Sequence, residues 1–125
     1  MCFIKEYLSK SSDFRLAYTY GKRYEGSLIT VFIRPNNLDG HRLGVTASRK
    51  LSPLAIQRNR AKRLLREVFR LVFPSLVELQ ISYDWVINAK RTLLKRKVSA
   101  PIIEFREIVA CVQQDECDSS LLYET

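Results

Sequence analysis

Six cations and a single acid stand between Arg58 and Arg70, and their spacing leaves this segment few ways to fold. At about 100° per residue, Lys62, Arg66 and Arg70 lie about 40°, 80° and 120° round a helix from Arg58, with Asn59 and Arg63 in the same arc. Ala61, Leu64, Leu65, Val68 and Val72 fall on the other side, with Phe69 at its margin. The pattern predicts an amphipathic helix that docks its apolar side on a core and turns its basic side outward. Ser52-Pro53 reads as its start, a capping hydroxyl followed by proline at the first helical position. Pro74 ends it at about Val72.

The cations at 58, 62, 66 and 70 stand four residues apart, and each such like-charged pair destabilises an isolated helix by about 0.2–0.5 kcal/mol. Glu67 can pair with Arg63 or Arg70, but it cannot neutralise the face. A bound polyanion relieves the repulsion. Five of the six cations are arginines, whose planar forks suit phosphate and stack on bases. Asn59, within the arc, can hydrogen-bond a sugar, a phosphate or a base edge. The net charge of +8 is concentrated around this segment. Residues 42–97 hold fourteen Lys and Arg against three acids, Glu67, Glu78 and Asp84, while the remainder of the chain is net −3. Such a surface attracts nucleic acid.

The length of 125 residues suits one domain with one core, and 46% hydrophobic residues suit a folded chain. We read residues 1–112 as a single RNA-binding domain and 113–125, with Asp115, Glu116, Asp118 and Glu124, as a frayed acidic tail that points away from RNA. No apolar run approaches the roughly 18 residues of a membrane span. The stretch Met1 to Glu6 lacks the pattern of a signal peptide, so a cytoplasmic protein with no membrane partner is expected. Cys2, Cys111 and Cys117 are too few and too scattered for a disulfide framework, and with the lone His41 they make a poor metal set. They read as free thiols, buried or incidental. A protein nuclease would need clustered carboxylates or a histidine pair. None is visible, so no catalytic and no metal-binding residue is assigned.

Ser11-Ser12-Asp13 offers caps for a short helix to about Tyr20, with Gly21 just past its end. Ser27–Arg34 and Arg42–Ser48 read as strands joined by the turn Pro35–Gly40, and together suggest an antiparallel hairpin. Ile81–Ala89 reads as a further core strand, Lys90–Lys97 as a basic loop, and Ser99 onward as a last helix through Ile102, Phe105, Ile108, Val109 and Val112. Helices and strands in this order describe an α/β sandwich, a small mixed sheet with helices packed on it.

The run Ala55-Ile56-Gln57-Arg58-Asn59-Arg60-Ala61-Lys62-Arg63-Leu64-Leu65-Arg66-Glu67-Val68-Phe69-Arg70 resembles the signature of the bacterial ribonuclease P protein subunit. The flanks Arg42-Leu43-Gly44-Val45, Ser48-Arg49-Lys50 and Asn88-Ala89-Lys90, and the helix through Leu8, Phe14 and Tyr18, resemble it too. The likeness implies an α-β-β-β-α-β-α-like order with a left-handed crossover, as in the second domain of a small-subunit ribosomal protein. It implies a subunit that binds a catalytic RNA and the 5′ leader of precursor tRNA, and assists endonucleolytic removal of that leader. The active site would lie in the RNA, with Mg²⁺ held by the RNA and no cofactor on the protein. The subunit would position the substrate and reduce repulsion between two RNAs.

Carried over by position, Arg49, Lys50, Arg58, Asn59, Arg60, Lys62, Arg63, Arg66 and Arg70 would contact RNA. Phe14, Tyr18, Phe32, Lys90 and Arg91 would hold the leader, with aromatic stacking that tolerates any base. The turn Leu51-Ser52-Pro53-Leu54 departs from the family in being one residue longer and without glycine. Two other classes share the charge and size. A ribosomal scaffold protein needs no aromatic groove for a single strand. A DNA-binding helix would need a second helix in helix-turn-helix spacing before it, which is not seen.

Overall fold

A computed structural model describes residues 4–124; Cys2 and the first three residues of the Met1–Glu6 stretch lie outside the described residues. In chain order the elements are β1 (Ile4–Tyr7), α1 (Ser11–Tyr20), β2 (Lys22–Glu25), β3 (Ile29–Pro35), β4 (His41–Thr46), α2 (Ala55–Val72), β5 (Tyr83–Ala89) and α3 (Ser99–Glu124). Short 3-10 turns at Phe73–Glu78 and Arg91–Lys95 flank β5. The sequence pattern does not point to β1, which is short and carries charges at two of its four positions.

The five strands form one mixed sheet in the order β1-β4-β5-β3-β2. β5 runs antiparallel to β3, with Val31 opposite Ile87, and parallel to β4, with Leu43 beside Trp85. The hairpin expected of β3 and β4 therefore does not form, because β5 lies between them. Every residue from Tyr83 to Ile87 is buried, and a central position is the one that covers both faces of such a strand. The turn after β3 consequently spans two strand spacings, about 10 Å. Asn36 shapes it by accepting the Leu38 N–H at 2.9 Å, and Asn37 takes a left-handed φ of 57°.

One sheet face carries Ile29, Val31, Ile33, Leu43, Trp85 and Ile87, covered by α2 and α3. The Trp85 ring lies 6.1 Å from Phe69 of α2 and 5.6 Å from Phe105 of α3, between centroids. The other face carries a smaller cluster in which Leu8, Ala17 and Val86 pack with Phe14 and Phe32. The helix side expected to dock does so, with Ala61, Leu65, Val68, Phe69 and Val72 buried.

Three local readings change. Ser52 does not cap α2: the helix starts at Ala55 behind Leu54, and the Ser52 hydroxyl instead accepts the Leu54 N–H at 3.1 Å and donates to Gln57 Oε1 at 2.5 Å. Gly21 follows α1 with φ −75°, so it serves close approach rather than a left-handed turn. A Cβ there would sit 2.3 Å from the Ala17 carbonyl oxygen. The tail from Gln113 is not frayed at its start, because it continues α3. Asp115 accepts from Lys22 Nζ at 2.6 Å and from the Tyr24 hydroxyl, and Glu116 accepts from the Tyr83 hydroxyl at 2.5 Å. Cys111 and Cys117 are free, and both are exposed rather than buried.

Two polar groups fix the sheet. Asp84, 2% exposed, receives Arg42 through Nε at 2.7 Å and through its second fork nitrogen at 2.5 Å, and receives Asn36 Nδ2 at 3.0 Å. Glu104 of α3 reaches back to the β2–β3 turn, accepting the Leu28 N–H at 3.1 Å and the Ser27 hydroxyl at 3.3 Å.

Asp84→Ala removes the carboxylate that takes the Arg42 fork at 2.7 Å and 2.5 Å in a half-buried place, and Asp13, 3.9 Å from that fork, is a more distant acid. Loss of one partner of a buried pair costs about 3–5 kcal/mol, and urea denaturation should read a loss at the lower end of that range. His41 provides a second test. Its Nδ1 accepts both the Tyr83 N–H and the Trp85 Nε1–H at 3.0 Å, and burial holds its pKa below the ordinary 6.5 despite opposing hydrogen bonds and nearby Glu116. The unfolded chain then binds the proton first. This contribution to stability is complete above about pH 6.5 and is lost as pH falls from there through the lowered folded value. His41→Gln should flatten the stability profile between about pH 7 and pH 5, read by urea denaturation across that range.

Candidate nucleic-acid interface

The outer face of α2 presents its cations in two states. Arg60, Lys62, Arg63 and Arg66 have no side-chain hydrogen bond or ion pair with any described residue; all but the half-buried Lys62 are exposed. Arg58 and Arg70 are partly engaged. Arg58 donates to the Ser52 carbonyl at 2.9 Å, bracing the Gly-less turn against the helix. Arg70 forms a fork with Glu67, at 3.1 Å and 2.5 Å, and holds that carboxyl below its usual range. Of the two partners open to Glu67 in the sequence, the structure selects Arg70. Asn59 is exposed within the same face.

Arg49 and Lys50 are exposed on the turn that follows β4. The Lys50 carbonyl accepts from Arg91 at 2.8 Å, which ties the exit of β4 to the exit of β5. A cation on each of these two segments is thereby brought to one end of the sheet.

The second group gathers where α1 crosses the sheet. The Tyr18 and Phe32 rings meet edge to face at 4.9 Å, and the Arg23 guanidinium lies 5.9 Å from the Phe32 centroid. Phe14 rests on Gly44 of β4. A Cβ at position 44 would fall 2.7 Å from the ring carbons of Phe14, so only glycine lets the ring lie that close to the strand. Phe14, Tyr18 and Phe32 thus share one face of the sheet beside α1. Phe14 and Phe32 are half-buried against Val86, and Tyr18 is the more exposed.

Two residues on this face were not assigned from sequence. Asn88 Oδ1 accepts from the Tyr18 hydroxyl at 3.0 Å and from the Thr46 hydroxyl at 2.5 Å. Both oxygen lone pairs are taken, which leaves the amide Nδ2 hydrogens as the free donors of this residue. The alternation of Thr46 with Val45 and Ala47 places it on the polar side of β4, but its meeting with Asn88 depends on the β4–β5 register. Lys90 lies at the rim and is partly spoken for. It donates to the Gly26 carbonyl at 2.5 Å and pairs with Glu25 at 3.1 Å. Glu25 also receives Arg23 at 2.8 Å, and Lys90 with Arg23 holds its carboxyl below the usual range.

The ribonuclease P family model matches residues 4–113. The ribonuclease P protein component of Natranaerobius thermophilus is 36% identical over 83 residues, covering 66% of this chain and 69% of that protein. That of Clostridioides difficile is also 36% identical over 83 residues, covering 66% and 70%. In structure, the ribonuclease P protein from Thermotoga maritima aligns with a TM-score of 0.70 at 26% identity, over 84% of this chain and 96% of that one. The Staphylococcus aureus protein aligns at 0.69 and 22% identity, over 84% and 93%, a likeness of fold. The matched span takes in the whole sheet, the cationic helix and the aromatic face. The chain therefore belongs to the ribonuclease P protein family, the protein part of a tRNA-processing endoribonuclease whose catalysis is by RNA.

Proposed function

We propose that the outer face of α2 anchors this protein to the catalytic RNA of ribonuclease P, while the aromatic face beside α1 holds the single-stranded 5′ leader of precursor tRNA. The observation that carries this reading is the set Arg60, Lys62, Arg63 and Arg66. These four side chains have no partner among the described residues, on a helix whose opposite side is fixed in the core. Their mutual repulsion is relieved when phosphates lie against them. Arg49, Lys50 and Asn59 extend the same surface. Arg58 keeps several donors for RNA after bracing its turn, and Arg70, already paired, contributes less.

On the second face, Phe14, Tyr18 and Phe32 offer stacking surfaces, Asn88 offers amide donors, and Lys90 and Arg91 add positive charge at one end. Stacking accepts any base, which suits a leader that differs from one tRNA to the next. In this arrangement hydrolysis belongs to the RNA with its own Mg²⁺. The protein supplies orientation and screens the approach of one polyanion to another.

The test combines the protein with its matching catalytic RNA at low Mg²⁺ and measures cleavage of precursor tRNA with and without a leader. Stimulation that depends on the leader is expected. Absence of both stimulation and leader dependence, or cleavage by the protein alone, overturns the reading. Lys62→Gln and Arg66→Gln should each weaken binding to the catalytic RNA and flatten the log–log salt dependence by about one phosphate, a slope change of roughly 0.7–0.9. Arg70→Gln should change it less. Tyr18→Ala and Phe32→Ala should each cost about 1–3 kcal/mol in binding of substrates that carry a leader and leave leaderless RNA unaffected, read by competition binding to the holoenzyme.

A further inference from the structure

Beside the free cations of α2 lies a hollow of about 450 Å³, closed on its far side by the 91–95 turn and the chain leading into α3. Its floor is apolar. Ala61 and Leu93 are buried beneath it, and Leu64 and Leu94 are half-exposed in it. Its rim is cationic, with Arg60 and Arg63 from α2 facing Arg96 and Lys97 from the loop. No acidic, amide or hydroxyl side chain lines it among the described residues. None of the four cations has a side-chain hydrogen bond or ion pair with a described residue.

A face that reads only phosphates needs no apolar floor. A nucleotide lifted out of a helix has the two halves this hollow accommodates, a base to cover the leucines and phosphates on either side to meet the cations. The guanidinium planes of Arg60 and Arg63 can also lie against a base. We propose that the hollow between α2 and the 91–97 loop receives one unpaired nucleotide of the catalytic RNA, its base on Leu64 and Leu94 and its flanking phosphates on Arg60, Arg63, Arg96 and Lys97. With no side chain in the lining to read donors against acceptors, the hollow selects for an unstacked base and not for its identity. This rests on the reading of α2 as the anchor to that RNA. It adds the basic loop to that interface, and it supplies a term that does not depend on salt.

The experiment is chemical probing of the catalytic RNA, alone and with the full-length protein, together with binding measured across a salt series. With the unaltered protein, one unpaired nucleotide should lose reactivity. Leu94→Ser sits on a half-exposed turn and is checked for an unchanged fold by circular dichroism; Leu64→Ala is the second variant, on the helix side. Each should restore reactivity at that nucleotide, leave the rest of the footprint in place and weaken binding about threefold to tenfold with the salt slope unchanged. Arg96→Gln and Lys97→Gln should instead lower the slope. A protected nucleotide unaffected by both leucine variants, no protected unpaired nucleotide, or loss of the entire footprint in both folded leucine variants overturns the proposal. If Lys62→Gln and Arg66→Gln weaken binding while both leucine variants do not, only the nucleotide hollow fails. If none of these variants changes binding, the anchoring role of α2 fails with it.

Discussion

The arrangement depends on where β5 sits. It is buried on both faces and occupies the centre of the sheet, parallel to β4 and antiparallel to β3. Parallel neighbours cannot be joined by a tight turn, so the chain between β4 and β5 must cross over the sheet. That crossing segment contains α2. Its inner side is committed to Trp85 and the other buried residues of the core. Its outer side packs on no strand and is left to carry charge. The cationic face thus follows from a strand-pairing constraint, and the core supplies the rigidity that a row of repelling arginines lacks.

The helix face was legible because a 3.6-residue period is a local property, and the wheel needs no knowledge of what the helix packs against. Strands β3, β4 and β5 were legible from composition for the same reason. Their pairing was not. Proximity in sequence argued for a β3–β4 hairpin, and the competing fact, a both-faces-buried strand more than thirty residues later, has no signature in the turn itself. The Asn88–Thr46–Tyr18 contacts were hidden in the same way, since they exist only once β4 and β5 are in register and α1 lies across them. The start of the tail misled because acids and small polar residues suggest fraying. Asp115 and Glu116 instead find hydroxyl partners on Tyr24 and Tyr83, far away in sequence.

Charge is sorted within the fold as well as along the chain. Asp115 is paired with Lys22 of the edge strand β2, and Glu116 is bonded to Tyr83 and to the Gln80 N–H. Asp84 is sealed under Arg42 and Asn36. Glu67 is the acid within the α2 face, and Arg70 covers it. These carboxylates are held in place by their own donors, which limits their cancellation of the field that Arg60, Lys62, Arg63 and Arg66 set up together.

The reach of Glu104 to the Ser27 and Leu28 turn has a consequence for the order of events during synthesis. That turn joins β2 to β3, and so carries Arg23 on one side and Phe32 on the other. Its clasp is a residue about 75 positions downstream. Until β5 has been made, β3 and β4 have no strand between them to join them in one sheet, and the turn has no Glu104 to fasten it. The aromatic wall can set only after β5 has taken its place between them and the first turns of α3 have emerged. The cations of α2 are thus made before the strand that seats their helix and before the groove beside it can close.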